Sequence, residues 1–214
     1  MTGGRMPKGY WIPHLDVPNM DKFLPYRTTA DAWHKTNGST LLARGGRREV
    51  MEGKMRARNI LRQFDSFDLA LAAHSSPEYT HAHHLRDGHC ECDFLVVEGY
   101  DGPQPPPIGA PPAPGALKGY WIAHVDIHDV EGYKPYQAEN AKAFGKYGAR
   151  FLVRGGKQQV TEGKMRSRTV VIEYPSYDAA IACYRSPEYQ AAKALRMGKA
   201  DVDLLVIEGY DGKN

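Results

Sequence analysis

The chain has 214 residues, 42% hydrophobic and 25% charged, the balance of an ordinary globular protein rather than a disordered or fibrous one. Its net charge of +3 divides into −1 for residues 8–102 (12 basic against 13 acidic) and +2 for residues 118–212 (14 against 12). Neither half has the basic excess of a phosphate-gripping nucleic-acid binder, and no apolar run reaches the roughly 20 residues of a membrane helix.

The N-terminal residues lack the apolar core of a secretory signal. The three cysteines, Cys90, Cys92 and Cys183, are odd in number, and the first two are too close for an ordinary structural disulfide. Both features predict a reducing, cytoplasmic setting.

Lys8-Gly-Tyr-Trp-Ile12 returns as Lys118-Gly-Tyr-Trp-Ile122, an offset of 118 − 8 = 110. The same offset superimposes Arg44-Gly-Gly46 on Arg154-Gly-Gly156, and Glu52-Gly-Lys-Met-Arg56 on Glu162-Gly-Lys-Met-Arg166. It also matches Ser76-Pro-Glu-Tyr79 to Ser186-Pro-Glu-Tyr189, and Glu98-Gly-Tyr-Asp-Gly102 to Glu208-Gly-Tyr-Asp-Gly212. No gap is needed, so two tandem domains are expected, at 8–102 and 118–212. Between them, residues 103–117 hold seven prolines. Such a segment forms neither helix nor ladder and reads as a polyproline-like tether, able to reach roughly 45 Å at about 3.1 Å per residue.

The second copy shows the elements most clearly. Tyr120–Ile127 alternates as a strand, with Trp121, Ala123, Val125 and Ile127 on one apolar face and Tyr120, Ile122, His124 and Asp126 on a mixed one. Asp129 offers an N-cap, and Tyr133, Tyr136, Asn140 and Phe144 follow at helical spacing until Gly148. Arg150–Arg154 is a second strand ending at a Gly-Gly turn, and Arg168–Tyr174 is a third. A helical region begins at Ser176, restarts at Ser186-Pro187-Glu188 and closes at Gly198. Val202–Glu208 is the last strand. The order β-α-β-β-α-β is the ferredoxin-like split unit. Its helices cover one sheet face, and the mixed face predicts a partner, which the other repeat can supply.

Gly-Tyr-Trp-Ile-Ala-His, the Arg-Gly-Gly turn, Glu-Gly-Lys-Met-Arg, Tyr-Pro-Ser, Ser-Pro-Glu-Tyr and Val-Ile-Glu-Gly together resemble the family catalogued as domain of unknown function 1330. The likeness spans nearly all of both repeats, although the first has Pro13 for Ala123, Asp65 for Pro175 and a His-rich second helix. It implies an α+β fold in which two ferredoxin-like domains pair as a pseudo-dimeric α+β barrel, two sheets enclosing a cavity. The wider superfamily holds cofactor-free monooxygenases, isomerases, haem enzymes and proteins without known activity, so the resemblance implies a fold more firmly than a function.

His14 and His124 share the mixed face with Asp16 and Asp126, spacing that lets imidazole and carboxylate approach. Strand parity places Arg44 and Arg154 on that same face. These groups read either as a base and an anion holder facing a substrate, or as buried polar pairs that fix an interface. Tyr26 and Tyr136, each after a proline, read as substrate-binding hydroxyls or as helix-on-sheet packing. Glu-Gly-Lys-Met-Arg reads as a rim contact to an anion or as a solvated hairpin tip.

In the first copy alone, His81 and His84 from one helical turn and Cys90 and Cys92 from one strand face could hold zinc or copper, or the histidines could simply be solvated. No catalytic triad order, phosphate loop or dinucleotide fingerprint occurs.

The expected function is therefore a small-molecule enzyme without an organic cofactor, of isomerase, cyclase or monooxygenase type. The alternative is a non-catalytic ligand-binding or interaction module. Expected partners are a small-molecule ligand, the other repeat and a second copy of the chain, with no nucleic acid and no membrane.

Overall fold

The computed structural model describes residues 6–106 and 114–212; the polyproline-like reading of the tether's central stretch, 107–113, lies outside them. The chain forms two compact units that do not follow the repeat boundaries. The first gathers residues up to Arg44, Arg56–Tyr100 and Gly156–Met165; the second gathers Gly45–Met55, Asp101–Gly155 and the residues from Arg166 on.

In the first unit, β1 (Gly9–Asp16), β2 (Thr40–Arg44), β4 (Arg58–Phe64) and β5 (Glu91–Glu98) carry helices α1 (Met20–His34), α2 (Phe67–His74) and α3 (Pro77–His84). Its antiparallel sheet runs β2-β4-β1-β5-β8, and the last strand, β8 (Gln158–Glu162), comes from the second repeat. The second unit mirrors this arrangement. Its strands β6 (Gly119–Ile127), β7 (Arg150–Arg154), β9 (Arg168–Tyr174) and β10 (Ala200–Glu208) carry α4 (Val130–Lys146), α5 (Tyr177–Arg185) and α6 (Pro187–Ala194). Its sheet runs β3-β10-β6-β9-β7, with β3 (Arg48–Glu52) donated by the first repeat.

The expected α+β class and the expected pairing of repeats are both present, and the pairing takes the form of an exchange of strands. The strands β3 and β8 are a correction to the six-element unit read from sequence. Each is a polar edge strand, Arg-Glu-Val-Met-Glu and Gln-Gln-Val-Thr-Glu, with little of the alternation that marks a half-buried strand.

Local chemistry explains the recurring motifs. A Cβ on Gly9 or Gly119 would lie 2.2 or 2.5 Å from the carbonyl oxygen of Ser66 or Ser176, so glycine lets the first strand touch the start of the helix above it. Two residues on, the indole of Trp11 or Trp121 donates to the carbonyl of Ala70 or Ala180, at 2.8 and 3.0 Å. The N-caps are as expected: Asp129 accepts from Gly132 N, and Ser186 accepts from Tyr189 N with Pro187 in the first turn.

Glu-Gly-Lys-Met-Arg is neither a ligand rim nor a solvated tip; it is the hinge of the exchange. In the second unit the amide of Lys54 donates to Asp203 Oδ1 (2.9 Å), while Arg166 Nε donates to Asp203 Oδ2 (2.6 Å). In the first unit Lys164 N and Arg56 Nε meet Asp93 in the same way, at 3.0 and 2.6 Å. One carboxylate thus binds the incoming chain through one oxygen and the repeat's own arginine through the other. At the end of each exchanged strand, Glu52 pairs with Arg196 and Glu162 with Arg86, both at 2.5 Å and with the arginines almost fully buried.

Gly53 and Gly163 both have φ of +65°, and a Cβ there would stand 2.0 Å from Asp203 Oδ1 or 2.1 Å from Asp93 Oδ1. Gly53→Ala is therefore predicted to destabilise the chain by about 1–3 kcal/mol in urea unfolding. Gly38→Ala should cost less: its φ is also positive, at +73°, but it has open space around it. Equal losses would remove the steric role assigned to the hinge.

Candidate functional site

A cavity of about 50 Å³ opens in the second unit between α4, α6 and the helix-covered face of the sheet. It has room for about three or four waters, or for a group of that size at the end of a larger ligand. Its floor is the apolar face of β6, with Trp121, Ala123 and Val125, and its walls include Tyr133 and Phe144 from α4 and Phe151 from β7. The helical stripe read from sequence is the stripe that faces it.

The polar groups have an ordered arrangement. Tyr136 and Tyr189 exchange a hydroxyl–hydroxyl bond of 3.2 Å at the back. Burial pushes the phenols of Tyr189 and Tyr133 well above their usual range, so both remain donors. Behind them Arg196 lies 5.2 Å over the Tyr136 ring, its charge met by Glu52 from the exchanged strand. Asn140 is 92% buried, yet no hydrogen bond holds its side-chain amide among the described residues. A buried amide lining a cavity without a partner costs free energy unless a water or ligand satisfies it. At the exposed end stand Gln137, Arg154 and Arg168. Arg154 stacks 4.6 Å over Phe151, and Arg168 donates to the Arg154 carbonyl at 3.2 Å. No histidine or carboxylate is among the lining residues, so the cavity offers hydrogen-bond donors and positive charge but no built-in general base.

The residues expected to converge on one face do not. His124 and Arg154 lie on opposite faces, and a β-bulge is the reason. The register steps from Phe151↔Ile172 to Val153↔Val171, which makes Leu152 an extra residue and turns Arg154, opposite Val170, to the helix-covered side. The same step between Leu41 and Ala43 turns Arg44 in the first unit.

His124 is 2% exposed on the far face, its Nδ1 3.1 Å from Thr169 Oγ1, and His14 Nδ1 is 2.6 Å from Asn59 Oδ1. The aspartates leave the histidines altogether. Asp16 binds Arg56 and the amide of Ala57, and Asp126 binds Arg166 and the amide of Ser167. The Ser167 amide, its hydroxyl and Arg166 together hold the Asp126 carboxyl below the usual range, against its burial.

Tyr136 and Arg154 are thus the expected site residues that reach the cavity. Sequence reading missed Asn140, Arg168 and Arg196 as site residues. The signal for Asn140 was an amide within an otherwise aromatic helical stripe. In the first unit the hydroxyl of Tyr26 lies 3.3 Å from that of Tyr79, as its counterpart's does in the second.

The zinc or copper site is not assembled. His81 and His84 stand exposed on α3, while Cys90 Sγ lies 3.6 Å from the Arg86 guanidinium. Burial pushes the half-buried Cys92 thiol up to about 12, and it packs against the core around Trp11. Among the described residues no three His, Cys, Asp or Glu side chains are grouped to hold a metal. Arg86 binds both Cys90 and Glu162, which sets a cation where a metal would have to sit, and the Cys92 thiol stays protonated, a poor ligand. His83 turns inward instead, 3.3 Å from Glu162.

A haem, present in the wider superfamily, does not fit the cavity either. Its 50 Å³ is far below the roughly 300–1,000 Å³ of pockets that enclose drug-sized ligands, and no histidine, cysteine or methionine lines it.

The corresponding positions of the first unit are filled differently. Arg62 replaces Ile172, buried beside Trp11 and donating to Ser39 Oγ (2.9 Å); burial and the nearby Arg44 lower its guanidinium to about 10. Trp33 stacks on Trp11 (6.0 Å), and His34 stands where Phe144 stands in the second unit. Burial, then the charge of Arg62, drives the His34 pKa from 6.5 to about 3. A depressed histidine contributes stability that is complete above pH 6.5 and lost as pH falls toward 3. His34 should accordingly titrate near pH 3 by NMR, and His34→Phe should flatten the loss of stability between pH 6.5 and 3. A His34 titration near 6.5 would contradict its placement.

Comparisons with known proteins agree with this architecture. A family model described as "Domain of unknown function (DUF1330)" matches residues 8–100 and again 118–210. No functionally curated protein matches the chain. Among solved structures, a "putative monooxygenase" from Fusobacterium nucleatum is 11% identical with a TM-score of 0.54, covering 98% of this chain and 99% of its own. An "anthrone oxidase-like protein" is 10% identical with a TM-score of 0.53, over 98% of this chain and 94% of its own. A "putative chlorite dismutase" is 9% identical with a TM-score of 0.55, over 96% of each chain. At such identities the likeness shows the fold alone.

Proposed function

This chain belongs to the DUF1330 family in both of its repeats, and we propose that its second repeat is a small-molecule enzyme working without an organic cofactor, of isomerase, cyclase or monooxygenase type. The observation that carries the reading is the buried, unpartnered amide of Asn140 at the wall of an aromatic cavity whose open end holds two arginines. Three reaction classes share a need these groups meet. Removing a proton beside a carbonyl to water at the open end (no lining side chain is a base), closing a ring through an enolate, or presenting a carbanion to oxygen all pass through a delocalised anion. Fixed donors and cations aimed at that charge lower the barrier without having to reorganise. Neighbours of the same fold named as monooxygenase and oxidase-like support the reading.

A second reading has its own support. The absence of histidine and carboxylate from the lining residues suits a module that binds an anion without turning it over. The two separate in one experiment. The intact protein is given an acidic C–H compound such as a 1,3-diketone in D₂O, and deuterium exchange by NMR and oxygen uptake are followed together. The enzyme reading predicts a rate above buffer in either assay and a loss on the order of ten- to a hundred-fold in Asn140→Leu, at an unchanged melting temperature. Rates equal to buffer, or equal in wild type and variant, would leave the binding module.

A further inference from the structure

The two units are built alike and differ in the side chains that their interiors enclose. An offset of 110 carries Phe23 to Tyr133 and Ala30 to Asn140, which lie on the stripe of α4 that faces the cavity. In the first unit these positions are apolar and buried, 5% and 4% exposed. In the second they are almost as deeply buried, 7% and 8% exposed, but each carries a polar group. Neither the Tyr133 hydroxyl nor the Asn140 amide forms a hydrogen bond with a described residue, and both side chains line the cavity. The reverse change stands beside them: His34 and Arg62 of the first unit become Phe144 and Ile172. The second interior has thus exchanged two ionisable groups for apolar walls, and two apolar walls for neutral hydrogen-bonding groups. Phe23 and Ala30 show that the fold is built without those polar groups, and burying them without a partner costs free energy. Charge stays at the margins of the cavity. Arg196 is matched by Glu52 behind Tyr136, and Arg154 and Arg168 stand at the exposed end.

We propose that the second unit takes a small, flat, uncharged cyclic amide, a ring in which an N–H adjoins a carbonyl. The side chain of Asn140 presents an acceptor oxygen beside a donor nitrogen. A ketone or a carboxylate would answer only its nitrogen and leave its oxygen bare. A ring N–H beside a carbonyl answers both at once, in two parallel hydrogen bonds. The Tyr133 hydroxyl donates to an oxygen of the same ligand. Trp121, Phe144 and Phe151 supply aromatic surface for the ring, whose polar edge enters the cavity while its far edge reaches the open end. This ligand class rests on the reading of the cavity as the small-molecule site.

The test uses 2-pyridone and 2-pyranone on the intact chain, two flat rings that differ only in a ring N–H replaced by oxygen. Binding is followed through the ring resonances of Trp121 and Phe151. 2-Pyridone is expected to shift them and to bind about ten-fold or more tightly than 2-pyranone, which sets a second acceptor against the Asn140 oxygen. Asn140→Leu and Tyr133→Phe should each weaken 2-pyridone by about ten-fold, and neither should lower the melting temperature of the free protein. Tyr133→Phe restores the residue type of the first unit, so it keeps the shape while removing the hydroxyl. If the two rings bind equally, or if both variants bind 2-pyridone like the wild type, the cyclic-amide assignment is overturned while the cavity stands as a small-molecule site. A clear fall in melting temperature with binding kept would assign both polar groups to the fold, and overturns it as well. If neither ring shifts the resonances, the ligand class falls, and the diketone assay still decides the enzyme reading by itself.

Discussion

The contact on which the rest depends is a buried ion pair made by a borrowed strand: Glu52 with Arg196 in one unit, Glu162 with Arg86 in the other. Each arginine is 3% exposed, and a guanidinium taken so far out of water needs a carboxylate close by. That carboxylate comes from the other repeat, because the edge beside β5 or β10 is occupied by the other repeat's strand. Burial by itself would raise the Glu162 carboxyl, but His74 and Arg86 beside it hold it down at about 2. The exchange therefore does more than cover two sheet edges. In the second unit it supplies the charge behind Tyr136 and Tyr189, so the cavity is completed by a residue of the first repeat.

Duplication within one chain lets the two copies diverge while the exchange is kept. The hinge and the ion pair are the same in both units because they build a sheet with a foreign edge strand, and the Gly and Trp of the first strand because they seat the helix above it. The helix-covered interior is where they part. One copy packs tryptophan, a neutral half-buried histidine and an arginine against Trp11; the other leaves about 50 Å³ bounded by tyrosines and the Asn140 amide. No helix among the described residues is long and apolar enough to cross a membrane.

Much of the fold was legible. The repeat, the alternation of Tyr120–Ile127, the caps at Asp129 and Ser186 and the α+β order follow from local patterns, and each is realised. What escaped is non-local or breaks a period. β3 and β8 are edge strands paired with the other repeat, and their polar and charged residues give no alternation to read. The side on which Arg154 falls depends on one inserted residue, Leu152, and a strand's parity reverses at such a bulge. Asp16 and Asp126 were joined to histidines by spacing alone, whereas their partners are an arginine and a backbone amide about 40 residues away in the chain. The His and Cys cluster was compositionally suggestive, but Arg86 at its centre makes the assembly electrostatically unsuited to a cation.

The most direct measurement is the pairing partner of β3 in the intact chain. Nuclear Overhauser contacts across the strand pair should join Val50 to Leu205, and Val160 to Leu95, within a single molecule, as the registers require. A sample mixing differently labelled chains would identify them as intramolecular. Contacts from Val50 to Leu95 and from Val160 to Leu205 would mean that each repeat keeps its own strand. Glu52 would then be removed from Arg196, and the cavity would lose the charge that backs its tyrosines.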